Sequence, residues 1–367
     1  MTKKLILLTI LILVCFININ SLNAKSDEET RYALALEERQ EYCNEKYNIY
    51  MDDAKFIQPL MSLDQKNIKD ISNLYCMATF YENNDKLDEA MQNYLDILKL
   101  EPNFVDIIIK VAEFYETYKS DNNRAIVYYN KALNIIDAYL NNDISFLGDY
   151  TDIYSKIINI YKKMDIKNDV ILKYYDDLIK KLDDLLINPV YANYREVISG
   201  KKIDFLLEKA DYLNSNNNAD EAINIYEGII FNEDSQNIEA IEKLANIYYR
   251  LGLLSETKNL LEYAESNISS FHQNNLLLGK VYFELGGNGV VGEDYYGDAL
   301  SALNKALMEG NYANDDLAEI YYYRGRTYFV LGSCNEAKND FQQAKLIDEK
   351  IFDKLTNGMD WSNIKCN

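Results

Sequence analysis

The chain has 367 residues, 48% of them hydrophobic, with 59 acidic against 38 basic side chains and a net charge of −21. So acidic a surface repels the phosphate backbone of nucleic acid and disfavours an anionic membrane, while it suits solubility or a basic peptide or protein partner. Three prolines and 14 glycines are few for this length, so long helices are seldom interrupted; the 32 tyrosines at helical spacing read as packing residues, rings buried and hydroxyls reaching water.

The N-terminus carries the first signal. Met1-Thr2-Lys3-Lys4 is a short basic region, Leu5 to Phe16 an apolar run, and Leu22-Asn23-Ala24 offers a small residue for cleavage. This is the pattern of a secretory signal peptide over 1–24, and the run is shorter than the roughly 20 apolar residues of a spanning helix. No later stretch is long and apolar enough to span a bilayer, so no transmembrane helix is expected in the mature chain. The chain is expected to be exported, to the periplasm or cell envelope, or secreted. Cys15 sits where a lipoprotein signal carries its cysteine, although Val14 precedes it where a small residue is usual. Lipid anchoring at Cys15 is therefore the alternative to removal with the leader.

Residues 25–70 read as a charged helical N-terminal cap. Then a spacing begins to recur: a small residue, Tyr three positions on, Ala about nine later, an aromatic or Leu four after that, and Ala or Ile three further. It reads Ala78, Tyr81, Ala90, Tyr94, Ile97 near the start and Gly325, Tyr328, Ala337, Phe341, Ala344 near the end. A period of this length specifies paired helices stacked into a solenoid, a binding architecture. Val111, Ala112, Tyr115, Ala125, Tyr129 and Ala132 carry it over 105–139, with one extra residue in the turn. Residues 140–202 are helical by period but degenerate, one decayed repeat plus an extra helix. Over 203–351 four more copies follow: Ala210, Ala222, Tyr226, Ile229; then Leu244, Ala245, Tyr248, Thr257, Leu261, Ala264; then Leu278, Gly279, Tyr282, Ala299, Leu303, Ala306 around an inserted loop, 287–297; then the copy that holds Gly325. Ser333-Cys-Asn-Glu336 has the letters of a capping box and Asn218-Ala-Asp-Glu221 a related one. Residues 346–358 read as a closing helix that runs into a C-terminal cap and tail, 352–367, where Trp361 is a packing anchor.

Few residues offer chemistry. The single histidine, His272, leaves no Ser-His-Asp set and no His-based zinc cluster. Gly287-Asn-Gly289-Val-Val-Gly292 has the letters of a dinucleotide loop but follows a helix rather than a strand and is ringed by Glu293, Asp294 and Asp298. It reads as an insertion with Val290, Val291, Tyr295 and Tyr296 as apolar contacts. Paired acids such as Asp176-Asp177 and Asp315-Asp316 diverge by about 100° on a helix and read as solvated faces. No enzyme, cofactor or metal is expected. Four cysteines remain after the leader, and of the three pairings possible their positions favour Cys43–Cys76 and Cys334–Cys366.

The repeats resemble tetratricopeptide repeats. The resemblance implies an all-α fold, a right-handed superhelical solenoid of helix–turn–helix repeats with helical caps. It implies a peptide or protein partner in a concave groove lined by first helices. Carried onto this sequence, the groove positions are Tyr75, Glu82, Glu113, Asp211, Asn246, Tyr249, Arg250, Lys280, Phe283, Tyr322, Arg326 and Phe329. Thr79, Asp106, Ile109, Asp204 and Glu242 lie at matching positions, so the N-terminal half would be acidic and aromatic. The expected role is an exported, non-catalytic scaffold, or alternatively an assembly subunit of a cell-envelope complex.

Overall fold

The structure, a computed structural model, describes residues 65–268, 274–288, 294–310, 312–357 and Trp361. The signal segment with Cys15, most of the N-terminal cap, Cys43, His272, residues 289–293 of the insertion and Cys366 lie outside the described residues. The chain divides into two units, 1–174 and 175–367.

In the first unit α1 (Gln65–Asn83) pairs with α2 (Leu87–Leu100), α3 (Val105–Glu113) with α4 (Asn122–Tyr139), and α5 (Leu147–Lys163) with α6 (Asn168–Ile187), inside which the division falls. The apolar residues recur every three or four positions, so each helix has one stripe to bury. On α2 that stripe is Ala90, Met91, Tyr94 and Ile97; on α4 it is Ala125, Tyr129, Ala132 and Ile136. Residues 140–200 hold no extra α-helix beyond one pair: α5, α6 and two short 3-10 turns, Ile144–Phe146 and Pro189–Tyr194, occupy them, and the next helix already starts at Arg195. The repeat looked decayed because tyrosines took over its contacts. Tyr154 and Tyr161 of α5 meet Tyr174 of α6 at ring distances of 5.9 and 5.4 Å.

The second unit continues with α7 (Arg195–Ser215) and α8 (Ala219–Gly228), α9 (Ile238–Arg250) and α10 (Leu254–Asn267), α11 (Asn275–Gly287) and α12 (Tyr295–Glu309), and α13 (Asn314–Val330) and α14 (Cys334–Ile347). The closing helix, α15 (Glu349–Thr356), starts later than expected, because α14 runs on to Ile347, and it ends at Asn357 in the left-handed conformation. Both units are all-α among the described residues. Small residues set the approach within a pair: a Cβ on Gly325 would stand 3.0 Å from the Phe341 ring and 3.2 Å from the Ala337 carbonyl. Trp361 packs as an anchor, 5.6 Å from the Phe341 ring and 5.9 Å from Phe329.

One turn joins the helices of nearly every pair. A residue two positions before the second helix, or three at Asp165, takes positive φ (Asp85, Ser120, Asp165, Asn217, Gly252, Gly332), and the next amide donates back to the end of the first helix. Lys86 N bonds Tyr81 O at 2.9 Å, Leu253 N bonds Tyr248 O at 2.9 Å and Ser333 N bonds Tyr328 O at 2.8 Å. This turn overrides the two expected capping boxes. Neither the Ser333 nor the Asn218 side chain caps its helix, and the amide that Glu336 or Glu221 would satisfy is already donated to Tyr328 or Leu213. The extra residue of 105–139 is not in the turn either. It is absorbed as a π-turn, Phe114–Tyr118, at the end of α3, and a second one, Ile229–Glu233, prolongs α8.

The glycine-rich insertion is shorter than its letters suggest. Gly287 is the last residue of α11 and Gly297 lies in the first turn of α12, so neither belongs to a loop. Tyr295 is buried and stacks on Tyr282 at 6.3 Å. Tyr296 meets Phe283 at 5.7 Å and covers Gly286, where a Cβ would come within 2.9 Å of its ring. The segment follows a helix, α11, where a dinucleotide-binding loop follows a strand.

Candidate partner-binding face

The first helices of successive pairs place side chains against one another. In the first unit Tyr75 and Glu82 project from α1. Tyr75 meets the buried Tyr94 ring edge-on at 6.2 Å, and Glu82 pairs with Lys110 of α3 at 3.6 Å. The Lys110 ammonium lies 5.6 Å from the centre of the Tyr94 ring. Glu113, at the end of α3, pairs with Lys156 of α5, which lies 5.7 Å over Tyr129. The acidic half expected from the sequence is therefore largely compensated by lysines of the next first helix.

In the second unit Asp211 of α7 receives both the Tyr226 hydroxyl and the Lys243 ammonium, the latter at 2.8 Å. Asn246 and Arg250 stand exposed on α9; Asn246 donates to the Glu242 carbonyl at 2.8 Å and Arg250 to the Asn214 side chain at 2.8 Å. Burial pushes the Glu242 carboxyl above its ordinary value against the opposing hydrogen bond from Asn274.

Five of the expected residues converge across α9, α11 and α13. Lys280 lies between two rings, 5.4 Å from the centre of Tyr249 and 5.3 Å from Tyr323, and pairs with Glu319 at 2.7 Å. Tyr249 donates to Glu284; burial first, and then that carboxylate, hold its phenol well above the usual range. Arg326 lies 4.4 Å over Phe283 and 5.6 Å from Tyr322. Tyr322 is buried and donates to the Leu355 carbonyl at 3.0 Å; burial raises its phenol although Arg326 opposes this. Phe329, one turn beyond Arg326, is 44% exposed.

The sequence reading missed Tyr323, Glu284, Glu319 and the lysines at 110, 156 and 243. Their signal was present: an acid on one first helix and a lysine on the next, 32 residues apart for Asp211 and Lys243. It also missed Arg324, whose guanidinium grips the buried Asp340 through two bonds of 2.7 and 2.8 Å and donates to Asn304 at 2.8 Å. Asp340 falls on the same stripe as Ala337, Phe341 and Ala344, the one charge on that stripe and so the clue.

Cys76 and Cys334 are each disulfide-bonded; their expected partners, Cys43 and Cys366, lie outside the described residues. Among the described residues there is no group of three or more His, Cys, Asp or Glu side chains that could hold a metal ion, and no helix is long and apolar enough to cross a membrane. At Asp315-Asp316, burial and then the charge of Asp315 raise the Asp316 carboxyl.

The chain is 25% identical over 325 residues to a tetratricopeptide repeat-containing protein of Methanocaldococcus jannaschii, a match covering 84% of this chain and 51% of that protein. The chain thus spans about half the length of this curated relative. Among solved structures it is similar to the C-terminal part of a tetratricopeptide repeat-containing protein from Cytophaga hutchinsonii, with 14% identity and a TM-score of 0.49 over 76% of this chain and 98% of that one. A tetratricopeptide repeat protein from Parabacteroides merdae matches with 14% identity and a TM-score of 0.33 over 79% and 98% of the two chains. No protein-family model matches the chain.

Proposed function

We propose that the helix pairs of this chain are tetratricopeptide repeats, the architecture of protein–protein interaction scaffolds, and that the chain is an exported, non-catalytic scaffold that holds a peptide or protein segment against its first-helix face. The observation that carries the proposal is the meeting of three successive first helices in the second unit, where Tyr249, Lys280 and Arg326 form one aromatic and cationic cluster over the buried Phe283 ring. Large rings around fixed charges supply contact area at low entropy cost, as binding faces require. The non-catalytic part rests on the carboxylates of this face, which are spent on neighbouring lysines and tyrosines. Export to the periplasm or cell envelope is supported by the N-terminal basic and apolar pattern and by Cys76 and Cys334 in disulfides, which persist in oxidising compartments.

Cross-linking capture from cells, with fractionation, tests the proposal. The variant to compare is Asn246→Arg with Phe329→Glu, two exposed positions; Phe329 also meets the Trp361 ring, so a thermal melt of the variant verifies its fold before capture is compared. The expected result is a partner cross-linked in the envelope fraction by the parent chain and at least about tenfold less by the variant, the loss of a contact worth about 1.4 kcal/mol. Equal capture by both removes the face assignment, and recovery only from the cytosolic fraction removes export.

A further inference from the structure

Most cations of the first-helix face have a carboxylate supplied by a neighbouring helix. Lys110 has Glu82, Lys156 has Glu113, Lys243 has Asp211 and Lys280 has Glu319. Arg326 differs. Among the described residues it has no carboxylate partner, in a chain with 59 acidic side chains against 38 basic ones. Its guanidinium is instead held against Phe283 at 4.4 Å and Tyr322 at 5.6 Å, half-buried, with the exposed Phe329 ring one turn further on.

A guanidinium on aromatic faces keeps its edge donors directed outward while its plane is shielded from water. A carboxylate that meets those donors forms charge-assisted bonds, stronger than the same pair in open water. The compensated pairs elsewhere present no net charge for a second ionic contact. We propose that the partner is an extended segment whose one charged side chain is an Asp or Glu, which pairs with Arg326 while the next apolar side chain rests on Phe329. The proposal rests on the partner-binding face described above. A strongly basic segment, which the chain's overall acidity suits, would bring like charge to Arg326.

The test is a screen of the full chain against a linear peptide library with acetylated N-termini and amidated C-termini, with Arg326→Gln and Arg326→Lys in parallel. Circular dichroism and a thermal melt verify each fold. The expected result is enrichment of peptides with a single acid followed by an apolar residue, with affinity falling from Arg to Lys to Gln by about tenfold or more overall. If Arg326→Gln melts early, the folded Arg326→Lys variant decides, since it keeps the charge and loses the planar fork. Equal capture by parent and variants, or enrichment of basic peptides, overturns the role of Arg326 and leaves the face standing. Capture that requires a free peptide C-terminus overturns the side-chain carboxylate. Capture of no peptide overturns this inference together with the face.

Discussion

At the scale of single residues, steric fit and charge burial decide most outcomes. A Cβ at Gly279 would stand 2.6 Å from the Leu303 Cγ, so Gly279→Ala must displace a packed side chain. It should lower stability by about 1–3 kcal/mol in a thermal or denaturant melt. Gly200, inside α7, has nothing within 4 Å of the same position, and Gly200→Ala should raise stability by about 0.5–1 kcal/mol through helix propensity alone. Asp340 is 2% exposed and held by Arg324, so Asp340→Ala leaves a guanidinium without its counter-charge and should cost about 3 kcal/mol or more. Glu242 makes a pH prediction. Its folded pKa is raised, so the folded state favours the protonated form, and its contribution is present at low pH and lost as pH rises through the raised value. Glu242→Gln keeps an acceptor for Asn274. It should match the parent below the usual carboxylate range and melt higher than the parent near neutral pH.

At the scale of elements, the turn with a left-handed residue is the repeated joint. Glycine adopts that conformation without a Cβ penalty, whereas Ser120 at φ 51° carries one. Gly332→Ala and Gly252→Ala should each destabilise by about 1 kcal/mol, and Ser120→Gly should stabilise by up to that amount. Asn217→Gly should gain less, because Asn tolerates the left-handed region. Calorimetry on the four variants checks this ordering. The joints were poorly legible in the sequence because six different linkers carry one geometry with Asp, Ser, Asn or Gly at the key position. The capping letters misled for a related reason: a local side-chain cap competes with a backbone bond from the preceding helix, and the backbone bond is made at every joint of this kind.

At the scale of the molecule, net charge outweighs the ion pairs. Exposed pairs such as Lys119–Asp88 and Lys305–Glu265 contribute little and weaken with salt, but the net charge of −21 adds a self-repulsion that salt also screens. The excess of like charge dominates, so the melting temperature should rise from low to physiological ionic strength; a fall would mean the pairs between neighbouring helices hold more of the stability than their exposure allows.

The sequence by itself determined the helix pairs, because a stripe at i, i+3, i+4 with small residues at the crossings has only helical ways to be buried. Six repeats were readable on this basis, and the seventh was obscured because rings such as Tyr154, Tyr161 and Tyr174 did the work that Ala and Leu do elsewhere. The resemblance to tetratricopeptide repeats also put Lys280, Phe283 and Arg326 at positions expected to line the groove. Only the tertiary structure decided what those side chains do, because charge balance depends on the neighbouring helix, not on the residue's own repeat. It matched Lys110, Lys156, Lys243 and Lys280 with carboxylates, turned an acidic face into a largely neutral one, and set Arg326 against aromatic rings.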